Sequence, residues 1–262
     1  MAERFDLFVL GARLEAARWG PAPDEAATLV LLHEGLGCVD AWRDFPDALA
    51  AATGLGVFAY SRLGYGLSDP VAVPRPLTYM HDEGRRVLPA VLDAAGVRDA
   101  VLVGRSDGAS IAIVHAGSDA GPRLRGLALL APHVFCEDIS VEAIARARDA
   151  FEHGDLRDKL ARRHGANVDC AFWGWNRAWL DPAFRAWNLE AFVPQIEPRV
   201  PVLVVQGRDD PYGTLRQVDA IEAGVRGPFE RVVLDGVGHA PERDRPAETV
   251  AAVARLTRRA LA

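Results

Sequence analysis

The sequence predicts an α/β chain: a mostly parallel central sheet with helices on both faces, and a helical insertion before the last two strands. Three observations predict it. Short apolar runs alternate with helical patterns through most of the 262 residues, with turn residues at the junctions, as in a sheet covered on both faces. The rhythm stops after Pro132, where 134–198 holds helical patterns and no convincing strand. It then resumes with two more strand-like runs and a final helix.

Taken in order, "FDLFVL" and "RLEAARW" around Gly-Ala read as an opening hairpin. "ATLVLLH" is a strand, "AWRDFPDALAAAT" a helix and "GVFAYS" a strand. "DEGRRVLPAVLDAAG" is a helix, "AVLVG" a strand, "GASIAIVHAG" a helix and "RGLALLA" a strand. After the insertion come "PVLVVQG", "TLRQVDAIEAG", "FERVVLDG" and the closing helix "AETVAAVARLTRRALA". The expected division is a core of 1–133 with 199–262 and a helical cap of 134–198, which carries four of the six tryptophans, Trp173, Trp175, Trp179 and Trp187.

Composition narrows the function classes. Half the residues are apolar and a quarter charged, with a net charge of −6, which disfavours a nucleic-acid partner. Arginines interleave with acids, as in "ARARDAFEHGDLRDKLARR", and read as a solvated helix face. No apolar run approaches the ~18 residues of a membrane span, and "MAERFDLFVLGARLE" lacks the pattern of a signal peptide. Cys38, Cys136 and Cys170 are odd in number and widely spaced, which fits neither a disulfide framework nor a zinc site and suggests a reducing cytoplasm. The expected partner is a small-molecule substrate, with neither nucleic acid nor membrane, and homodimerisation is left open.

Several motifs start and fail. Two GxG openings, at Gly35 and Gly64, meet Asp40 and Asp69 where a dinucleotide loop needs its third glycine. His33-Glu34 opens like HExxH, but Gly37 stands at the second histidine position. His81-Asp82-Glu83 sits at a helix start, where acids complement the dipole. Neither cofactor nor metal is expected.

"VLVGRSDGASIA" is different. Gly104-Arg105-Ser106-Asp107-Gly108 between a strand and a helix has the form of a nucleophile elbow: the glycines relieve crowding at a sharp turn, and the serine hydroxyl is exposed at a helix N-terminus. The same N-terminus lets the Asp107 N–H face a developing oxyanion. Such a serine needs a base and an orienting acid, which follow it in that fold in the order Ser, acid, His. Asp209 and Asp210 follow the strand "VLVVQG", and His239 lies in the loop after the next strand.

With these residues the chain resembles an α/β-hydrolase bearing a helical cap, over essentially its whole length. "LVLLHEGLG" is similar to the family's strand and His-Gly-x-Pro-Gly loop, "YSRLGYGLSD" to its D-x-R-G-x-G-x-S turn, and "VVQGRDD" and "GVGHAPERDRP" to its acid and histidine loops. The resemblance implies Ser106 as nucleophile, His239 as general base and Asp210 as acid, with Asp209 a lesser candidate. It implies oxyanion donors at the backbone N–H groups of Asp107 and Gly35. Three departures from the pattern matter. Glu34 stands where glycine is common, either as a structural hydrogen-bonding group or to recognise a polar or cationic substrate group. Arg105 replaces a frequent histidine and reads as a packing or salt-bridge residue. Ser61 replaces the usual aspartate of the D-x-R-G turn and bears on loop architecture. A serine nucleophile, where haloalkane dehalogenases and epoxide hydrolases of this fold use aspartate, implies acyl chemistry.

Half or more of the cap aromatics are expected to pack between cap and core. The rest, drawn from Trp173, Trp175 and Trp179, should line an apolar pocket that His133 and Tyr212 join. The leading expectation is a serine hydrolase of a small hydrophobic carboxylic ester or lactone. One alternative is a C–C bond hydrolase of meta-cleavage-type diketone acids, with Arg177 or Arg185 holding the substrate carboxylate. Another is a non-catalytic small-ligand receptor on the same scaffold.

Overall fold

The computed structural model describes residues 2–118 and 120–262. At its centre eight strands lie in the order β1-β2-β4-β3-β5-β6-β7-β8. β1 (Glu3–Val9) and β2 (Ala12–Trp19) form the hairpin, and β2 also runs antiparallel to β4 (Gly56–Tyr60). β3 (Thr28–Leu32), β5 (Ala100–Arg105), β6 (Leu124–Leu130), β7 (Val202–Gly207) and β8 (Phe229–Leu234) are parallel to their neighbours. The hairpin turn, Leu10-Gly11, has both residues at positive φ, the geometry that matches the twist of its strands.

The apolar runs become strands buried on both faces because alternate side chains enter two different layers. Leu29, Leu31, Val101, Val103, Leu203 and Val205 pack with α1 (Phe45–Thr53) and α10 (Pro246–Leu261). Val30, Leu32, Leu102, Leu129, Val202 and Val204 face the other way. There they meet α2 (Tyr79–Asp82), α3 (Leu88–Ala94), α4 (Asp107–Ala116) and α8 (Leu215–Gly224).

Two helices differ from expectation. The helix foreseen from Ala41 starts at Phe45, because Val39–Trp42 is a separate 3₁₀ turn. Arg43 takes a positive φ between them, and Pro46, in the first turn, needs no N–H partner there. The helix foreseen from Asp82 starts at Tyr79 and widens into a π turn over Glu83–Val87. Pro89 follows that turn; its ring cannot share an ordinary helical turn with the carbonyl four residues back, and the wider turn relieves the conflict.

Between β6 and β7 the chain forms α5 (Asp138–His153), α6 (Leu156–His164) and α7 (Val168–Leu180), then 3₁₀ turns at Pro182–Ala186 and Glu190–Gln195. Among the described residues of this segment, the bridge between Phe135 and Asn188 is the only β-type pairing. The segment has no separate core: Ile144, Phe172, Trp175 and Trp179 belong to the same apolar cluster as one face of the sheet. A short α9 (Pro241–Asp244) precedes α10.

Candidate active site

Ser106 links β5 to α4 with φ 51° and ψ −120°, a left-handed conformation that costs a non-glycine residue energy. Its neighbours permit so tight a turn. A Cβ on Gly104 would lie 2.4 Å from the Gly108 carbonyl oxygen, and one on Gly108 would lie 1.9 Å from that of Leu32. Only glycine fits at either place, so the flanking glycines of the motif have a steric cause.

Two later loops deliver the partners. His239 follows β8 and Asp210 follows β7, so all three groups gather at the carboxyl ends of parallel strands. His239 Nε2 is 2.9 Å from Ser106 Oγ, and His239 Nδ1 is 2.7 Å from Asp210 Oδ2. The Asp210 carboxylate also accepts from the Gln206 side-chain amide and the Tyr212 N–H, each at 2.8 Å. Burial alone would raise its pKa, but the His239 imidazole and the Tyr212 N–H hold it below the usual carboxylate range. Asp209, by contrast, is exposed.

A cavity of about 180 Å³ adjoins Ser106 and His239. Gly35 and Asp107, His133 and Tyr212, and Trp175 and Trp179 line it, with Glu34, Arg105, Leu36, Ser140 and Ile144. Trp173 does not: it packs edge-on against Phe151 and Phe172, with the Arg177 guanidinium 4.9 Å from its ring centre. That corrects the expectation for Trp173, and its cause is helical phase. A two-residue step turns the side chain to the other side of α7, whereas Trp175 and Trp179, four apart, share a face. The two cap arginines are also elsewhere, since Arg177 is exposed and Arg185 pairs with Asp138 on the surface. A larger depression of about 870 Å³ lies far from this chemistry, beside Leu92, His115 and Arg123.

The loop after β3 is fixed by two buried residues. The His33 ring accepts at Nε2 from the Arg62 N–H, 3.0 Å, which leaves Nδ1–H to donate to the Glu34 carbonyl, 2.7 Å. Burial and the Arg62 charge push the His33 pKa well down, so the ring is neutral. Arg62 also donates to the carbonyls of His33, at 2.5 Å, and Glu34, at 2.9 Å. Because a trans peptide points its C=O and N–H in opposite directions, the Gly35 N–H is turned away from Arg62. Trp175 covers this glycine so closely that a Cβ there would lie 2.2 Å from the indole nitrogen.

Arg105 is buried between two carboxylates, with Nη1 at 2.9 Å from Glu242 and 3.4 Å from Glu34. Burial alone would raise the Glu34 pKa, but Arg105, then the residue's own backbone N–H and then Arg62 bring it below the ordinary range. Burial raises that of Glu242. His133 is buried, its pKa lowered by desolvation and the nearby His239, and its Nε2 lies 3.0 Å from the Tyr212 carbonyl. Ser61 hydrogen-bonds Glu15 and the Val39 N–H, bracing the loop. Gln206, Arg62 and Glu242 had no sequence signal of their own: each is a partner that only the folded chain brings near.

A family model described as the alpha/beta hydrolase family matches residues 29–253. Epoxide hydrolase A of Mycobacterium tuberculosis is 33% identical over 69 residues, 26% of this chain and 21% of that relative's length. Among solved structures, a serine hydrolase involved in carbazole degradation superposes with a TM-score of 0.77 at 15% identity, over 98% of this chain and 99% of that one. The enol-lactonase of Burkholderia xenovorans LB400 superposes with a TM-score of 0.73 at 20% identity, over 97% and 100%.

Proposed function

The chain belongs to the alpha/beta hydrolase family, and from that premise we propose that it is a serine hydrolase cleaving a small carboxylic ester or lactone through an acyl-enzyme. One observation carries the reading: the unbroken hydrogen-bonded line from Ser106 Oγ through His239 to Asp210, at 2.9 and 2.7 Å. Asp210 holds the Nδ1–H tautomer of His239, leaving Nε2 free to take the Ser106 proton. Oγ attacks the carbonyl carbon, and the oxyanion forms against the N–H groups of Asp107 and Gly35. His239 passes its proton to the departing alkoxide. It then takes a proton from water, whose oxygen attacks the acyl carbon; the acid leaves and the proton returns to Ser106.

The cavity supports a small substrate, since 180 Å³ is below the ~300 Å³ at which drug-sized sites begin. Its Leu36, Ile144, Trp175 and Trp179 surfaces suit an apolar portion of that substrate. Epoxide opening is not proposed despite the partial likeness to an epoxide hydrolase. A serine hydroxyl attacking an epoxide carbon would form an ether, which water does not cleave under these conditions, whereas acyl transfer forms a hydrolysable ester. The cytoplasm is the proposed location; no described helix is long and apolar enough to cross a membrane.

The test is intact mass after exposure to a small fluorophosphonate. One adduct is expected on the wild type, none on Ser106→Ala, and a rate lower by about 10³-fold or more on His239→Ala. A folded wild type left unmodified by the smallest unbranched probe would remove the hydrolase reading and favour a ligand receptor.

A further inference from the structure

Two carboxylates that the proposed hydrolysis does not use line the cavity beside Ser106. Asp107 is fully buried; its Oδ2 accepts from the Tyr79 hydroxyl, which in turn accepts from Trp179 Nε1 at 3.1 Å. Its other oxygen, Oδ1, is buried with no hydrogen-bond partner among the described residues. Glu34 has a side chain 19% exposed, and its ion pair among the described residues is with Arg105, at 3.4 Å, while Arg105 is held more closely by Glu242. The walls therefore present two carboxylates with free acceptor capacity and one guanidinium that already has a counter-ion. An acceptor buried without a donor is costly, and a charged donor is its best partner.

We propose that the site selects acyl groups carrying an ammonium close to the scissile carbonyl, held by Asp107 Oδ1 and the Glu34 carboxylate. The inference deepens the serine-hydrolase reading and rests on it. Placement near the carbonyl follows from the backbone: Asp107 supplies one oxyanion N–H, and Glu34 immediately precedes the Gly35 that supplies the other. Both residues line the cavity that adjoins Ser106, so a cation held by them would lie only a few atoms from the carbonyl. Glu34 is available as an anion, since Arg105, its own backbone N–H and Arg62 outweigh its burial. His133 adds no positive charge, because burial and His239 keep it neutral. A metal ion is a poorer fit for the two carboxylates, as no group of three or more His, Cys, Asp or Glu able to hold one occurs among the described residues.

The experiment compares two isosteric diphenyl phosphonates, one with a 1-aminoethyl and one with an isopropyl group on phosphorus. In each, Ser106 Oγ attacks phosphorus, phenoxide leaves, and the serine proton passes through His239. Labelling rates are read by intact mass. The wild type should react with the amino probe at least about tenfold faster, a difference of ~1.4 kcal/mol. Glu34→Gln and Asp107→Asn should each shrink that ratio several-fold; a ratio taken within one variant cancels any general loss of reactivity. Equal rates, including no reaction with either probe, would overturn the proposal, as would a preference for a carboxylate-bearing third probe, which would make Arg105 the recognition group. A fluorophosphonate control separates the two levels. Ser106 labelled without discrimination sinks only the ammonium inference, whereas no labelling at all sinks the hydrolase reading beneath it.

Discussion

Asp210 shows what one residue contributes through its charge rather than its shape. Its carboxylate accepts from His239, Gln206 and the Tyr212 N–H. Asn at this position would fill the same space but offer an N–H where the imidazole needs an acceptor. Asp210→Asn should therefore lower kcat by about 10⁴-fold with the fold intact, measured as turnover of a small ester beside a circular dichroism spectrum unchanged from wild type. Because the folded pKa of Asp210 is depressed, its ionisation stabilises the fold above the ordinary carboxylate range near pH ~4. That contribution is lost as pH falls through the depressed value. The stability gap between wild type and Asp210→Asn should accordingly narrow below about pH 4, as read by urea unfolding; a gap independent of pH would contradict this assignment. The residues of the hydrogen-bonded line were legible in the sequence because each follows a strand and their order is informative. Arg62, Gln206 and Glu242 were not, since their importance lies in what the fold brings beside them.

The helical segment between β6 and β7 explains both what was readable and what was misread among its aromatics. Its sequence pattern separates α5, α6 and α7 from the strands, but it does not say which face of α7 meets the cavity. Trp175 and Trp179 share one face and line the cavity, while Trp173 and Arg177, also four apart, stack on another. A helical phase counted from a single known contact would have sorted them; composition cannot. On α5, Ile144 is buried and reaches the same cavity, and its carbonyl accepts from the Asn176 side chain of α7. Ile144→Ala keeps that backbone bond and removes only apolar bulk. We expect a stability loss of about 2–5 kcal/mol together with faster turnover of longer acyl esters relative to acetate esters. An unchanged chain-length preference in a folded variant would show that α5 does not bound the acyl group.

At the scale of the whole molecule, the sheet was the most legible feature, because strands buried on both faces leave near-continuous apolar runs. The same burial has a consequence for pH that no single motif announces. His33, His115, His133 and His164 are all buried, and desolvation lowers the pKa of each. In the unfolded chain these rings take up protons near pH ~6.5, while in the fold they remain neutral to lower pH. The unfolded state then binds more protons, so stability falls as pH drops below about 6.5. Four such groups set an upper slope of about 5 kcal/mol per pH unit. Glu83 and Glu242 act in the opposite sense, since burial raises their pKa values and protonation relieves the folded state. With four groups against two, the net slope should remain destabilising on acidification. Urea unfolding at pH 7.5, 6.5 and 5.5 should give progressively lower midpoints, well above the range where ordinary carboxylates titrate. His115 offers a separate check, since it hydrogen-bonds the Gly84 carbonyl away from the cavity. His115→Gln should flatten the slope by up to one proton's share, ~1.4 kcal/mol per pH unit. A midpoint that holds or rises toward pH 5.5 would mean that the two buried acids, rather than the histidines, govern how this fold responds to acid.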